Sequence, residues 1–287
     1  MKNIKGIILD VDGVIIGEKI GYNSPNPHFE IIERLKSLQK QGINISLCTA
    51  KPQFAIKKII EDAKLSNLHI TDGGGVIINP IKDVIVKKHS IDGESAKKVL
   101  QMYLKNNVYT EFYTVNDYII QESQFSNVTD EHAHILQQEP KMVKSLIDEA
   151  ELSEITKIMP IAKNEKDKER LTKLFKKLNT DLTLSWGVHP VALPLQFGII
   201  TAAGISKKQG AIDVVESSDI TFSDMLAVGD SLSDWQFIEL CKYGATMQNG
   251  KEELKKLVSS KGEGCFYIGG HVDKNGLLEI LNYFSKV

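Results

Sequence analysis

Ile4 to Leu9 is an almost unbroken apolar run that stops at Asp10. Runs apolar on both faces belong to strands of sheets covered on both sides. Phe29, Ile32, Leu35 and Leu38 follow at one-turn spacing, which predicts a helix, and Gly42 supplies its stop. Ile43 to Cys48 reads as a second strand, ending at Thr49. Pro52 suits the first turn of a helix running to about Ala63. Leu68 to Thr71 reads as a third strand before the turn Asp72-Gly73-Gly74-Gly75. The order βαβαβ implies a parallel sheet with right-handed crossovers.

From about Lys82 to His189 the segments are shorter. Val84–Val86 is a strand, and Ala96, Val99, Leu100 and Tyr103 form a helix face. Thr110–Val115 and Tyr118–Gln121 read as two strands joined at Asn116-Asp117. A helix near Lys141–Asp148, a strand near Ile155–Ile161, a helix with Leu171, Leu174, Phe175 and Leu178, and a strand Thr183–Trp186 complete the set. Without long apolar runs, this middle part predicts an α+β layer with one solvated sheet face. The first style then returns. Lys207–Val215 is helical, and Met225–Val228 is an apolar run ending in Gly229-Asp230. Ser233 can cap a helix through Trp235, Ile238 and Leu240. A last helix carries Leu277, Leu278, Ile280, Leu281 and Phe284. The expected organisation is a Rossmann-like α/β core, residues 1–81 and 191–287, interrupted by an inserted α+β domain, residues 82–190.

The length of 287 residues fits two domains. With 42% hydrophobic and 25% charged residues, the balance is that of a globular chain and excludes extended disorder. A net charge of −2 provides no global basic field for nucleic acid. Only Arg34 and Arg170 are arginines, which leaves little means of bidentate phosphate or guanine readout. No apolar run approaches the roughly 20 residues of a membrane span. The basic start Met1-Lys2-Asn3-Ile4-Lys5 is followed too soon by Asp10 and Asp12 for a signal peptide. Three scattered cysteines, Cys48, Cys241 and Cys265, form no ligand pattern, and a reducing cytoplasm is the expected setting.

Three apolar strands thus end in Asp10, Thr49 and Asp230. Ligands of open parallel sheets bind beyond such carboxyl ends. Asp10 and Asp12 would share a side of a continuing strand, and Gly13 lets the chain turn at once. Asp234 lies four residues after Asp230, so up to four carboxylates could converge. Two carboxylates about 4 Å apart repel by about 4 kcal/mol at an effective dielectric of 20. A shared proton, a lysine or a metal relieves this. An acidic, oxygen-only set suits Mg²⁺, and no Cys/His set argues for zinc. A lone aspartate at a strand end is usually a turn former or cap, which is the preferred reading for Asp234 by itself. Asp10, Asp12 and Asp230 after three buried strands point to function.

At these residues the chain resembles the haloacid dehalogenase (HAD) superfamily, in the Cof-like branch with a large inserted cap. The motifs that carry the resemblance are Asp10-Val11-Asp12-Gly13-Val14, Cys48-Thr49-Ala50-Lys51, Gly204-Ile205-Ser206-Lys207, and Gly229-Asp230-Ser231-Leu232-Ser233-Asp234. Ala245 to Gly250 and Asp273-Lys274-Asn275-Gly276 resemble the tail of that branch. The resemblance implies that Asp10 is a nucleophile forming an aspartyl-phosphate and that Asp12 is the general acid and base. It implies Mg²⁺ on Asp10, the backbone carbonyl of Asp12, and Asp230, with Asp234 as ligand or support. Thr49, Ala50, Lys207 and Ser233 are implied at the phosphoryl group. Four positions depart from the family pattern: Val14 for threonine, Ala50 and Lys51 for Gly-Arg, and Ser233 for asparagine. Lys207 is chosen over Lys208 because Gly210 matches the family's small residue.

His132 and His134 would share a face in a strand but lack a third ligand, so a solvated segment is expected rather than a metal site. Cys48 reads as core packing. Gly73 to Gly75 lacks the phosphate-cradle pattern and reads as a turn where cap and core meet. The Lys163 to Lys177 charge run reads as the wet side of a helix. Trp186, with His189 and Pro190 near the return to the core, reads as packing. Tyr113, His134 and Trp186 are the candidates for substrate contact. The expected activity is Mg²⁺-dependent hydrolysis of small phosphorylated metabolites, sugar phosphates among them, by a monomer or homodimer. A phosphomutase and a non-catalytic binder of the same fold are the alternatives.

Overall fold

The computed structural model describes residues 4–285, so Met1–Asn3 of the basic start lie outside the described residues. The chain begins with β1 (Gly6–Leu9), α1 (Phe29–Lys40), β2 (Asn44–Leu47) and α2 (Gln53–Ala63). A compact unit of β3 (His69–Thr71), β4 (Val76–Asn79) and β5 (Val84–Lys88) follows. Next come α3 (Gly93–Lys105), β6 (Tyr109–Tyr113), β7 (Tyr118–Gln121), α4 (Asn127–Leu136), β8 (Lys141–Val143) and α5 (Leu146–Glu151). Then come β9 (Lys157–Ala162), α6 (Glu165–Lys177), β10 (Thr183–Gly187) and β11 (Gln196–Thr201). The chain closes with α7 (Lys207–Glu216), β12 (Met225–Gly229), α8 (Trp235–Ile238), β13 (Tyr243–Thr246), α9 (Glu252–Ser259), β14 (Phe266–Ile268) and α10 (Gly276–Phe284).

A parallel sheet of order β14-β13-β12-β1-β2 forms the base of the molecule. Its strands are apolar on both faces because both are covered. Ile7, Leu9, Ile45, Leu47 and Val228 pack against α1, α2 and α10 on one face. Ile8, Met225 and Ala227 pack against α7, α8 and α9 on the other. The stripe of α1 that enters the core is Ile31, Leu35 and Leu38, while Phe29 stays outside. β3 does not extend this sheet as a full strand. A single parallel bridge, Cys48 to Ile70, joins the two, and β3 pairs antiparallel with β4 in a separate three-stranded sheet that ends in β5.

Above the base lies a six-stranded mixed sheet of order β10-β11-β9-β6-β7-β8. One face packs against α3, α5 and α6 through Leu100, Tyr103, Leu146 and Leu171. The expected solvated face does not exist as such. Tyr113, Tyr118, Met159, Ile161, Phe197 and Ile199 on that side are buried, because α4 and the carboxyl ends of the base sheet close over them. Val84–Val86 is a strand as expected, part of β5 beside β4. β11 joins the upper sheet, which therefore includes residues up to Thr201. Two further expectations change. Residues 141–143 form β8 beside β7, and α5 starts only at Leu146, capped by Ser145. His132 and His134 sit on α4, whose start is fixed by a capping box of Ser126 and Thr129, so they share no strand face. His132 is buried and His134 exposed.

Candidate active site

β1 ends at Leu9, and the chain leaves the strand direction before Asp12 instead of continuing it. Gly13 makes the bend with φ +79°, and a side chain there would put its Cβ 2.0 Å from Asp230 Oδ2. Only glycine lets the two loops approach this closely. Asp10 and Asp230 thereby meet over the ends of β1 and β12. Asp234 completes the group. One carboxylate oxygen from each of the three residues lies within 4.8 Å of the others. Asp12 is not part of this cluster, so three carboxylates converge rather than four.

Lys207, at the start of α7, supplies the counter-charge. Its Nζ lies 2.9 Å from Asp10 Oδ1 and 2.6 Å from Asp234 Oδ1. Lys208 points outward to Glu239, so Lys207 is the one of the two that faces the acids. Ser206 caps α7. Gly74 lies so close to Ser206 O that a Cβ there would stand 2.2 Å away, so the glycine turn after β3 seats the lysine. Asp234 is fully buried, and its second oxygen accepts from the Asp230 and Ser231 amides and from Ser231 Oγ. Both its oxygens are therefore occupied. Ser231, not Ser233, forms the capping box with Asp234, and Ser233 Oγ bonds to Ser231 Oγ. Asn249 spans from Gly13 O to the Val272 amide and ties the first loop to the tail.

One lysine cannot satisfy three acids, of which Asp10 and Asp234 are buried and Asp230 is half-buried. Burial, and then Asp234, push the Asp10 carboxyl up to about 7, against the pull of Lys207. Burial, followed by Asp234 and Asp10, drives Asp230 well above its usual range. Lys207 is held in its charged form by Asp10 and Asp234, although burial alone would favour the neutral amine. A hard divalent cation is the natural remedy, and the donor set, oxygen-only and acidic, fits one.

The charge state of Asp10 is open to a stability test. Its proton is lost near 3.8 when unfolded but only near 7 when folded. Wild-type stability therefore falls, on account of this group, as pH rises between those values. In EDTA, Asp10→Asn is expected to melt above wild type, with a gap that is small near pH 4 and grows toward pH 8. Thermal melts of both proteins across that range check it. A pH-independent gap would show that Asp10 is not held protonated.

Asp12 faces elsewhere. Its Oδ1 lies 2.7 Å from Lys51 Nζ and 3.0 Å from His189 Nε2. Burial would raise its pKa, but Lys51 and then His189 outweigh that and hold the carboxyl well below the usual range. His189 Nδ1 accepts from the Val191 amide, so Nε2 is the nitrogen that turns its proton to Asp12. Burial lowers the His189 pKa, partly offset by Asp12. Lys51, a departure from the family pattern, is thus the ion partner of Asp12. Asp12 sits in the wall between two chambers. The first holds Asp10, Thr49, Ala50, Lys207, Asp230 and Ser233. The second lies under the upper sheet and contains Tyr113, His132 and Lys157.

Thr49 is buried, and its Oγ1 accepts from the Lys51 amide. The structure thus gathers Asp10, Asp12, Thr49, Ala50, Lys207, Asp230, Ser233 and Asp234 around one site. Lys51, His189 and Ser231 join them without having been singled out for it. Lys51 was visible as a departure in the second motif. His189 reads as packing in the sequence, and its contact with Asp12 is long-range, so no local pattern shows it. Among the proposed substrate contacts, Tyr113 lines the second chamber. Trp186 donates Nε1–H to Thr172 and packs within the upper layer, and His134 lies outside both chambers. Cys48 is buried core, and burial pushes its thiol up, as packing requires.

The sequence pattern of the haloacid dehalogenase-like hydrolases matches residues 7–281, nearly the whole chain. The chain belongs to that family. The hydrolase is 22% identical over 277 residues to 5-amino-6-(5-phospho-D-ribitylamino)uracil phosphatase YwtE of Bacillus subtilis, covering 88% of this chain and 91% of that protein. It is 23% identical over 288 residues to phosphatase YwpJ of the same species, covering 90% and 94%. A haloacid dehalogenase-like hydrolase from Bacteroides thetaiotaomicron shares the fold at a TM-score of 0.79 and 19% identity, covering 97% of this chain and 98% of that one. A HAD subclass IIB sugar phosphatase does so at 0.79 and 18%, covering 99% and 100%. Among the described residues, no helix is long and apolar enough to cross a membrane.

Proposed function

We propose that the hydrolase is a Mg²⁺-dependent phosphatase of small phosphomonoesters that works through an aspartyl-phosphate on Asp10. One observation carries this reading. Asp10, Lys207 and Asp230 share a chamber whose wall is Asp12, so a phosphoryl group in the first chamber and its alcohol in the second would straddle the acid. Asp10 Oδ attacks phosphorus, and the ester P–O bond breaks. Asp12 passes a proton to the departing alkoxide. A phosphate dianion arriving beside Asp12 is the like charge that raises its proton affinity, so Asp12 takes up that proton from solvent as the ester binds. Asp12 then takes a proton from water, water oxygen bonds to phosphorus, and Asp10 is released. Lys207 neutralises charge on Asp10 and the phosphoryl oxygens, while Thr49, Ala50 and Ser233 face the group.

Asp10, Asp230 and the Asp12 carbonyl would hold Mg²⁺, with Asp234 orienting Lys207 and the Asp230 loop. The ion would supply positive charge to a phosphoryl group gaining bonds. Sugar phosphates are the ester class the sequence resemblance implies. The names of the similar proteins extend from a phosphoribitylaminouracil to sugar phosphates. The unpaired cysteines suit a reducing cytoplasm. Phosphate release from a panel of phosphomonoesters is expected with Mg²⁺ and not with EDTA. Undiminished release in EDTA would overturn the metal dependence. No release from any ester would overturn the phosphatase reading.

A further inference from the structure

The second chamber is small: it spans about 420 Å³ only when the open space at its mouth is counted. Its wall is set by Tyr113, Ile135, Leu136, Met159, Phe197 and Ile199. The polar groups among these residues are already engaged by the protein. Lys157, fully buried on β9, lies 3.1 Å from Asp72 Oδ1, donates to Ala50 O at 2.7 Å, and stands 3.7 Å over the Tyr113 ring. The Tyr113 hydroxyl donates to Glu111 Oε2 at 2.7 Å. Glu111 Oε1 holds His132 Nδ1 at 2.9 Å. That leaves His132 Nε2 as the ring nitrogen free for a ligand. At the mouth, Lys51 and His189 are turned to Asp12, beside the phosphoryl end.

This arrangement discriminates between alcohols. A polyol carries about one hydroxyl per carbon, and most would face Ile135, Leu136, Met159, Phe197 or Ile199 without a partner. A compact ring loses nothing there and gains aromatic contact with Tyr113 or Phe197. We propose that the hydrolase prefers phosphomonoesters whose alcohol bears a compact, largely apolar ring, such as an aryl- or heteroaryl-methyl phosphate, with at most one hydrogen-bonding substituent, met by His132. The inference rests on the phosphatase reading and narrows its substrate class away from polyol phosphates.

Benzyl phosphate is the discriminating probe, because it releases a primary alcohol as many sugar phosphates do. In Mg²⁺, kcat/KM for benzyl and pyridylmethyl phosphates is expected to exceed that for glucose 6-phosphate, ribose 5-phosphate and glycerol phosphate by at least about a hundredfold, the scale on which pockets separate such groups. Met159→Gln is expected to shrink the ratio by about tenfold, and the volume-conserving Met159→Leu to keep it. Melting curves confirm that both variants fold. A ratio near or below one overturns the proposal, as does turnover of p-nitrophenyl phosphate with neither benzyl nor sugar esters accepted. If p-nitrophenyl phosphate is also inert, the phosphatase reading itself fails and the inference falls with it.

Discussion

Asp10→Asn is expected to lower kcat by roughly 10⁴- to 10⁶-fold, the cost of removing a nucleophile from an otherwise intact site. The amide matches the carboxylate in shape, and its oxygen can still accept from Lys207. Lys207 also keeps Asp234 at 2.6 Å, so it is not released from its seat. What the variant lacks is the anionic oxygen that, on the proposed mechanism, bonds to phosphorus. On the proposed mechanism Lys207 and the cation held by Asp230 would remain, but they would have no intermediate to stabilise. KM is expected to change far less than kcat. Rapid acid quench of wild type during turnover should retain phosphate on the protein, and the variant should retain none. Turnover by Asp10→Asn above about one per cent of wild type would show that the nucleophile is not Asp10.

Asp10 and Asp230 were legible because each follows a strand that is apolar on both faces. Ile4 to Leu9 and Met225 to Val228 can only be strands of a covered sheet, and the chain beyond such strands is where ligands bind. Their direction was therefore in the pattern. Their partners were not. Asp12 is turned away from Asp10 by Lys51 and His189, and no periodicity links His189, in the loop between β10 and β11 of the upper sheet, to a residue in the first loop. The upper layer was hidden for a related reason. Gln196–Thr201 is apolar enough for a strand, yet nothing local says which sheet it joins, and it joins β10 and β9. The helix that holds His132 starts at a capping box with Thr129 in the place usually taken by Glu or Gln, so its signal is weak in the sequence. That helix is also what buries the second sheet face and gives the second chamber its wall.

Lys207→Met is expected to destabilise the metal-free protein by about 3 to 5 kcal/mol, the cost of removing one partner from a buried ion pair. The methionine keeps the bulk of the side chain but leaves Asp10, Asp230 and Asp234 within 4.8 Å of one another without a cation. The acids can take up protons instead, so the loss is expected to be larger near pH 8 than near pH 5. Lys208→Met tests the register. It removes an exposed pair with Glu239 and should stay within about 0.5 kcal/mol of wild type. Denaturant titrations in EDTA measure both. If Lys207→Met is as stable as wild type, the acids are not held by this lysine. In the destabilised Lys207→Met protein, Mg²⁺ should restore much of the lost stability. A site with a hundredfold excess of ion over its Kd gains about 2.7 kcal/mol, and the variant lacks the lysine that competes for the same oxygens. Turnover is expected to stay low even so. Lys207 faces the phosphoryl chamber as well as the acids, and a cation on the carboxylates does not replace an ammonium at the phosphoryl oxygens.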